Sequence, residues 1–129
     1  MILVDTHVLI WLELEPRKLS RAAQSAITRA HVANGLAISV ISLVELAGLL
    51  ARGRVRLPGS VDSGIQRLIR DINVLPITSE IAVLTAHFPP EFPTDPMDRI
   101  IAATARAEGL PLVTADQRML DCPLLKTIW

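Results

Sequence analysis

Short apolar segments alternate with longer segments of helical patterning along this chain of 129 residues. Apolar strands that lack polar alternation are buried on both faces, which is typical of a parallel sheet covered by helices on each side. The alternation therefore predicts an α/β fold. The predicted strands have the sequences ILV, LAIS, NVLPI, LPLVT and LLKTI, in chain order.

The composition indicates one globular domain over residues 1–129, because hydrophobic residues make up 50% of the chain and no linker divides it. The charges of the 13 basic and 13 acidic residues cancel, which argues against nucleic-acid binding that depends on a net positive charge. The longest apolar run has 16 residues and includes Glu45, so no membrane association is expected. The single cysteine fits a reducing compartment, and we expect a cytoplasmic protein.

Four acidic residues interrupt the most apolar segments of the chain. Asp5 follows the first predicted strand, and Asp116 follows the segment LPLVT. Glu45 is expected in the first turn of the helix after the second strand, and Asp98 in the first turn of the helix before the fourth. The carboxyl ends of parallel strands share one edge of a sheet, where ligands bind. Asp98 reaches that edge only if the proline-rich segment PPEFPTDP delivers its helix there.

Each of these acids also has a purely structural interpretation. Ser42 and Glu45, and likewise Asp95 and Asp98, have the spacing of a capping box. The other two acids could cap the helices that follow them, where a helix dipole favours a carboxylate. Caps usually lie on exposed helix ends, however, whereas these acids lie in apolar segments.

Burying several carboxylates together is unfavourable unless some take up protons or a cation neutralises them. Oxygen ligands without a cysteine or histidine cluster favour Mg²⁺ or Mn²⁺ over Zn²⁺. Such a site suits metal-assisted hydrolysis of a phosphodiester. Asp5 is predicted to be the central ligand, with Glu45 and Asp98 completing the site and Asp116 in a supporting or second-metal role. Hydroxyl groups that could orient these carboxylates, or serve as ordinary caps, belong to Thr6, Ser42 and Thr114.

Arginines near these motifs are candidate phosphate contacts. Arg99 directly follows Asp98 and could pair with an acid or bind a phosphate. Arg52 could contact substrate phosphates, although the alternating arginines of ARGRVRLPG are better interpreted as a solvated rim or a partner contact.

Two aromatic side chains follow Asp5. His7 is interpreted as a packed or capping residue rather than a general base. Trp11 is interpreted as part of the core or of a dimer interface rather than as a base-stacking platform. With aromatics at only 3%, recognition of any single-stranded nucleic acid is expected to rely on shape and phosphate contacts.

The segments VDTHVLIWL, ISLVELA, DPMDRIIAATA, LVTAD and TIW together resemble the PIN-domain ribonucleases, specifically VapC-type toxins of toxin–antitoxin pairs. The resemblance runs nearly end to end and implies a three-layer α/β/α sandwich with about five parallel strands. It also implies a Mg²⁺- or Mn²⁺-dependent endoribonuclease, a homodimer and inhibition by a VapB-type antitoxin. The family's acidic quartet falls on Asp5, Glu45, Asp98 and Asp116. Val44 and Ala115 depart from the family pattern, which often has an aromatic and an arginine or asparagine there.

Two other functions are compatible with an α/β domain of this size. A receiver-type signalling domain also binds Mg²⁺, but it needs an acidic pair after the first strand and an aspartate after the third, and NVLPITS supplies none. A non-catalytic module could keep the same fold to bind a partner protein. The intact acids disfavour that alternative, and carboxylate-dependent metal binding would discriminate the two.

Overall fold

Residues 1–33 and 35–129 are described by a computed structural model of the chain. Five strands form one sheet in the order β3-β2-β1-β4-β5, and all neighbouring pairs are parallel. The predicted parallel sheet and α/β class are therefore confirmed. The strands are β1 (Ile2–Val4), β2 (Leu36–Ser39), β3 (Ile72–Leu75), β4 (Leu112–Val113) and β5 (Thr127–Ile128).

Helices connect the strands and cover the sheet. They are α1 (Thr6–Leu14), α2 (Arg21–Val32), α3 (Ile41–Ala51), α4 (Val61–Leu68), α5 (Ser79–Leu84), α6 (Pro96–Glu108) and α7 (Gln117–Leu120), with a 3₁₀ turn at Pro16–Lys18. Ser20 caps α2 by accepting a hydrogen bond from the Ala23 N–H. Gly109 ends α6 in the left-handed conformation, with φ of 64°, which a residue with a Cβ adopts at a cost. In the described residues, no helix is long and apolar enough to cross a membrane.

The strands bury side chains on both faces of the sheet. Val4 and Ile38 pack into a core formed with α1, α2, α3 and α4, whereas Leu3 and Ala37 pack into a second core with α6 and α7. The alternation follows from the two-residue period of a strand. Truncating one of these large side chains, as in Ile38→Ala, should cost about 2–5 kcal/mol of stability.

The central position of β1 determines where a ligand can bind. The chain runs outward from β1 through β2 to β3 on one side, and through β4 to β5 on the other. A crevice forms at such a reversal of strand order, beyond the carboxyl ends of the strands. Receiver domains have the doubly wound order 2-1-3-4-5. The observed order differs, which removes the receiver-type alternative.

A candidate active site at the carboxyl edge of the sheet

A cavity of about 410 Å³ opens at the carboxyl ends of β1, β2 and β4. It brings together all four acids of the predicted quartet, together with a fifth that the sequence analysis treated only as a cap. The residues that line it are Asp5, His7, Trp11, Glu45, Asp95, Asp98, Ala115 and Asp116.

Asp5 lies at the base of this cavity with both carboxylate oxygens engaged. Oδ1 accepts a hydrogen bond of 2.8 Å from the Thr6 N–H, which caps α1, and Oδ2 accepts one of 2.8 Å from the Thr114 hydroxyl. Only 9% of Asp5 is exposed, and Thr114 is fully buried. Burial raises the pKa of Asp5 above its ordinary value of 3.8, while the hydrogen bonds from Thr114 and Thr6 act in the opposite direction.

Glu45 is held by the hydroxyl of Thr6. The Thr6 Oγ1 lies 2.7 Å from Glu45 Oε1 and 2.8 Å from the Ser42 Oγ. A hydroxyl carries one proton, so donation from Thr6 to an ionised Glu45 leaves Ser42 to donate to Thr6. Burial raises the pKa of Glu45 and the charge of Asp5 raises it further, against the lowering effect of the Thr6 hydrogen bond.

The predicted capping box at Ser42 and Glu45 is wrong. Helix α3 begins at Ile41, with Val40 at the N-cap and no side-chain cap, so Ser42 lies inside the helix. Glu45 is consequently the fifth residue of α3 rather than a member of its first turn. Ser42 is fully buried and faces Thr6, which gives it a role in orienting the site rather than in starting the helix.

Asp98 lies in the first turn of α6, as predicted, and faces the other acids. Burial raises the pKa of Asp98 from 3.8 to about 7, and the nearby charges of Asp95, Asp5, Asp116 and Glu45 contribute in that order. The cause is the combination of a partly dehydrated carboxyl group with several negative neighbours.

Asp95 is the acid that the sequence analysis missed as a cavity residue. Its Oδ1 accepts a hydrogen bond of 2.9 Å from the Met97 N–H and so caps α6, with Pro96 at the first helical position. Capping and facing the cavity are compatible, because a helix N-terminus that points into a cavity places its cap there too. The spacing DPMD, which puts a second carboxylate three residues before Asp98, was the available signal.

Asp116 caps α7 by accepting a hydrogen bond of 2.9 Å from the Arg118 N–H. Its backbone N–H is in turn held by the Thr114 hydroxyl oxygen at 3.1 Å. The Arg118 guanidinium lies 3.5 Å from Asp116 Oδ2, which places a cation beside the acids. The sequence analysis did not single out Arg118.

The structure does not bring Arg99 or Arg52 to the cavity wall. Arg99 instead donates hydrogen bonds to the carbonyl oxygens of Pro93 at 2.8 Å and Thr85 at 3.0 Å. Its guanidinium also lies over Phe88 and Phe92, so it fastens the proline-rich segment to α6. Arg52 is exposed and its guanidinium folds back over Gly48.

His7 and Trp11 both lie on the cavity wall. Trp11 is partly exposed but also packs against the first core, as expected, whereas His7 is exposed rather than packed. Helix α1 is apolar around most of its circumference, so its sequence does not indicate which side faces solvent. The helix starts directly after Asp5, and this connection turns residues 7 and 11 toward the cavity.

The donor chemistry of this cavity fits a hard divalent cation. Five carboxylates line it, and two of them are held by buried threonine hydroxyls. Within residues 1–33 and 35–129, no three or more His, Cys, Asp and Glu side chains already stand close enough to coordinate an ion. Mg²⁺ typically keeps several water ligands and uses one or two carboxylates directly, so a preassembled cage is not required.

A second cavity, of about 440 Å³, lies on the other side of Arg118. It is largely apolar, with Phe92, Cys122 and Pro123 on its walls, and it contains none of the four predicted acids. The cavity volumes are similar, but two acids, Glu91 and Asp121, line this one, whereas five line the acidic cavity. The acidic cavity is therefore the candidate active site.

Residues 2–123 match the PIN domain family. The chain belongs to this family. It is 39% identical over 130 residues to ribonuclease VapC22 of Mycobacterium tuberculosis, a comparison that covers 99% of this chain and 98% of that one.

Two solved structures share the PIN-domain fold of this chain at low sequence identity. VapBC2 from Rickettsia felis, bound to a DNA fragment from its promoter, has a TM-score of 0.75 at 18% identity and covers 98% of this chain and 97% of its own. A toxin–antitoxin complex from Klebsiella pneumoniae has a TM-score of 0.67 at 23% identity, covering 97% and 95%. The predicted three-layer PIN-like architecture is thus confirmed.

Proposed function

We propose that this PIN-domain protein is a metal-dependent endoribonuclease toxin, which hydrolyses RNA phosphodiester bonds and is inhibited by a cognate VapB-type antitoxin. Its relative VapC22 carries the name ribonuclease, and chains of the same fold occur in toxin–antitoxin complexes. Mg²⁺ or Mn²⁺ is the proposed cofactor, since the donor set consists of carboxylate oxygens.

One observation carries this proposal. Acids from four separate parts of the chain, at positions 5, 45, 95–98 and 116, line a single cavity. Burial raises the pKa of Asp98 to about 7, and repulsion from the other acids adds to the effect of burial. Purely structural caps do not need to converge, because a cap satisfies only the backbone of its own helix. Several acids that meet in one cavity, despite the cost of burying their charges together, are expected at a functional site.

A divalent ion bound here would lower the pKa of a bound water and offset the charge that develops on phosphorus. The protein's own contribution is to fix the carboxylates. Thr114 and the Thr6 N–H hold the two oxygens of Asp5, and the Thr6 hydroxyl holds Glu45. Asp5, Glu45 and Asp98 are proposed as metal ligands, with Asp116 as a further ligand or a water-positioning group.

Ser42 completes the hydroxyl network on the far side of Thr6. The buried network limits the rotamers of the acids, so that little reorganisation is needed when substrate binds. Arg118, 3.5 Å from Asp116, is better placed to contact a phosphate than Arg99, whose guanidinium is committed to backbone carbonyls.

We also propose a homodimer and a cytoplasmic site of action. Val32 on α2, Val44 on α3 and Val83 on α5 are 86%, 56% and 60% exposed, and a dimer interface would cover some of this apolar surface.

The experiment that tests the function is cleavage of RNA by the purified chain. Wild-type protein in Mn²⁺ buffer should produce discrete fragments from total RNA, and EDTA should abolish them. Asp5→Asn should reduce the rate by at least about 100-fold while preserving the fold, because asparagine still caps α1. Sequencing of the RNA ends would then identify the cleaved site.

Asp71→Asn is the matched control. Asp71 is exposed, has a φ of 62° that asparagine tolerates, and lies outside the cavity. This variant should cut at the wild-type rate. If Asp5→Asn cut equally fast, the assignment of Asp5 would fail. If wild-type protein bound no divalent ion and cut no RNA, the non-catalytic binding module would be the better function.

A further inference from the structure

We propose that Trp11, flanked by His7, is the surface on which an RNA base next to the cleaved phosphodiester stacks. This inference rests on the proposed function, because it takes RNA as the substrate. It assigns to the indole ring a binding role in the same cavity as the acids.

The position of Trp11 follows from the start of α1. Asp5 caps this helix, and His7 and Trp11 are four residues apart, so they share one face above the cap. At about 1.5 Å of rise per residue, Trp11 lies roughly 9 Å along the helix axis from Asp5. A nucleotide whose phosphate lies at the acids therefore has an aromatic wall within reach of its neighbour.

The indole ring is supported from behind rather than free to rotate. The ring of Trp129 lies 5.8 Å from it, centroid to centroid, at an angle of 51°. The His7 ring lies 6.2 Å away at 55°. A ring held in place loses little conformational entropy when a base stacks on it, which strengthens binding.

The other aromatic pair in the chain is committed elsewhere. Phe88 and Phe92 stack on each other at 4.3 Å under the guanidinium of Arg99, and only 3% of Phe92 is exposed. They pack inside the protein, outside the acidic cavity. Trp11 and His7 are thus the aromatic rings that the described cavity presents to a ligand.

An aromatic wall beside carboxylates that are proposed to hold a divalent ion favours a nucleotide over an apolar peptide segment as the occupant. The Lys18 ammonium lies over the Trp11 ring, 5.8 Å from its centroid, and is paired with Glu15 at 3.2 Å. Bases stack on aromatic side chains largely irrespective of sequence, because every base has a π face. The expected preference is therefore for single-stranded RNA and not for one particular base.

The chain contains two tryptophans, which makes the test specific. Trp129→Phe leaves Trp11 as the only indole, and Trp11→Phe leaves Trp129. Each protein is titrated with a single-stranded oligoribonucleotide of about ten residues, with Ca²⁺ replacing Mg²⁺ and a gel showing that the RNA stays intact. Binding is followed independently by anisotropy of a dye on the RNA.

Stacking should quench the emission of the Trp129→Phe protein in parallel with the anisotropy, while the Trp11→Phe protein shows little change. Trp11→Ala should bind the oligonucleotide roughly 10-fold more weakly, and Trp11→Phe should retain most of the affinity. An abasic oligonucleotide with the same phosphates should bind the Trp11→Ala and Trp11→Phe proteins equally. It should not quench the emission of either single-tryptophan protein.

Equal quenching in the two single-tryptophan proteins, or binding without any quenching, would overturn the proposal. If RNA left the Trp11 emission unchanged and only an antitoxin peptide altered it, the ring would be a protein contact instead. Because the Trp129→Phe protein keeps Trp11, the result does not depend on whether Trp11→Ala folds. If wild-type protein neither bound nor cut RNA, the proposed function would be wrong. If it cut RNA but RNA left the Trp11 emission unchanged, only the stacking role of Trp11 would be rejected.

Discussion

The hydroxyl of Thr114 donates a hydrogen bond of 2.8 Å to Oδ2 of Asp5, although 109 positions separate the two residues. Both groups are buried, so neither has ready access to water as a substitute partner. This bond joins the end of β4 to the end of β1 at the carboxyl edge of the sheet. It fixes the carboxylate that we propose as the central metal ligand.

Thr114→Val should destabilise the protein by about 1–3 kcal/mol, because it leaves a buried carboxylate oxygen without its donor. The RNA cleavage rate should fall as well, since only the Thr6 N–H then orients the Asp5 carboxylate. Thr114→Ser keeps the hydroxyl and should retain most of the activity. Urea unfolding and cleavage assays on both variants measure these effects. Equal loss of cleavage in the serine and valine variants would contradict a role for the hydroxyl.

The raised pKa of Asp98 predicts how stability depends on pH without metal. The folded pKa, about 7, lies above the ordinary value of 3.8, so the folded state binds the proton more tightly than the unfolded state. The stabilisation that comes from the tighter binding of the proton by folded Asp98 is complete below the unfolded pKa. It is lost as pH rises through the folded pKa of about 7. In EDTA, wild-type protein should lose stability as pH rises from about 4 to about 7.

Asp98→Asn should flatten this dependence and be more stable than wild type at about pH 8, because it removes one negative charge from the cavity. The measurement is the urea midpoint in EDTA at several pH values. Asp71→Asn, outside the cavity, should follow the wild-type curve. A loss of several kcal/mol in Asp98→Asn at high pH would instead indicate that Asp98 is chiefly structural.

Adding Mg²⁺ or Mn²⁺ should reverse the destabilisation at neutral pH. A ligand that binds only the folded state stabilises it by about 2.7 kcal/mol at 100 times its dissociation constant. Asp5→Asn should reduce this gain, because a direct ligand is lost. Calorimetric titration and melting curves with and without EDTA provide the measurement. If neither Mg²⁺ nor Mn²⁺ changed the melting temperature of the wild-type protein at millimolar concentration, the result would argue against the metal site.

Arg99→Lys tests whether this arginine acts on the loop or on the substrate. The guanidinium makes two hydrogen bonds to carbonyl oxygens of Pro93 and Thr85, which a lysine cannot reproduce in the same geometry. We expect a loss of about 1.5–3 kcal/mol in stability. The apparent affinity for RNA should change little once the protein is folded. A weaker affinity at unchanged stability would show instead that Arg99 binds a phosphate.

The positions of Asp5 and Asp116 were predictable because both follow short apolar strands, and parallel strands end at a common edge. Asp98 was less certain, since its place depends on the segment between α5 and α6. That segment is held by Arg99 and by Arg106, which donates a hydrogen bond of 2.9 Å to the His87 carbonyl. Contacts of this kind are long-range in the sequence and have no periodic signature.

Three features were not predicted from the sequence pattern. Ser42 has capping-box spacing, but α3 starts before it, where the Ser39 hydroxyl accepts a hydrogen bond of 3.3 Å from the Ile41 N–H. The cavity-facing side of Asp95 was concealed by its evident capping role. Trp11 lies on a helix that is apolar nearly all round, so only the orientation of that helix above Asp5 reveals which side is open.

The order of the strands has a consequence for incomplete copies of the protein. Strand β1 precedes β2 and β3 in the chain, but its neighbour β4 and Asp116 follow them. A polypeptide that stops before β4 therefore leaves one edge of β1 unpaired and lacks the last acid of the cavity. Under the proposed function, such truncated copies are expected to cut no RNA.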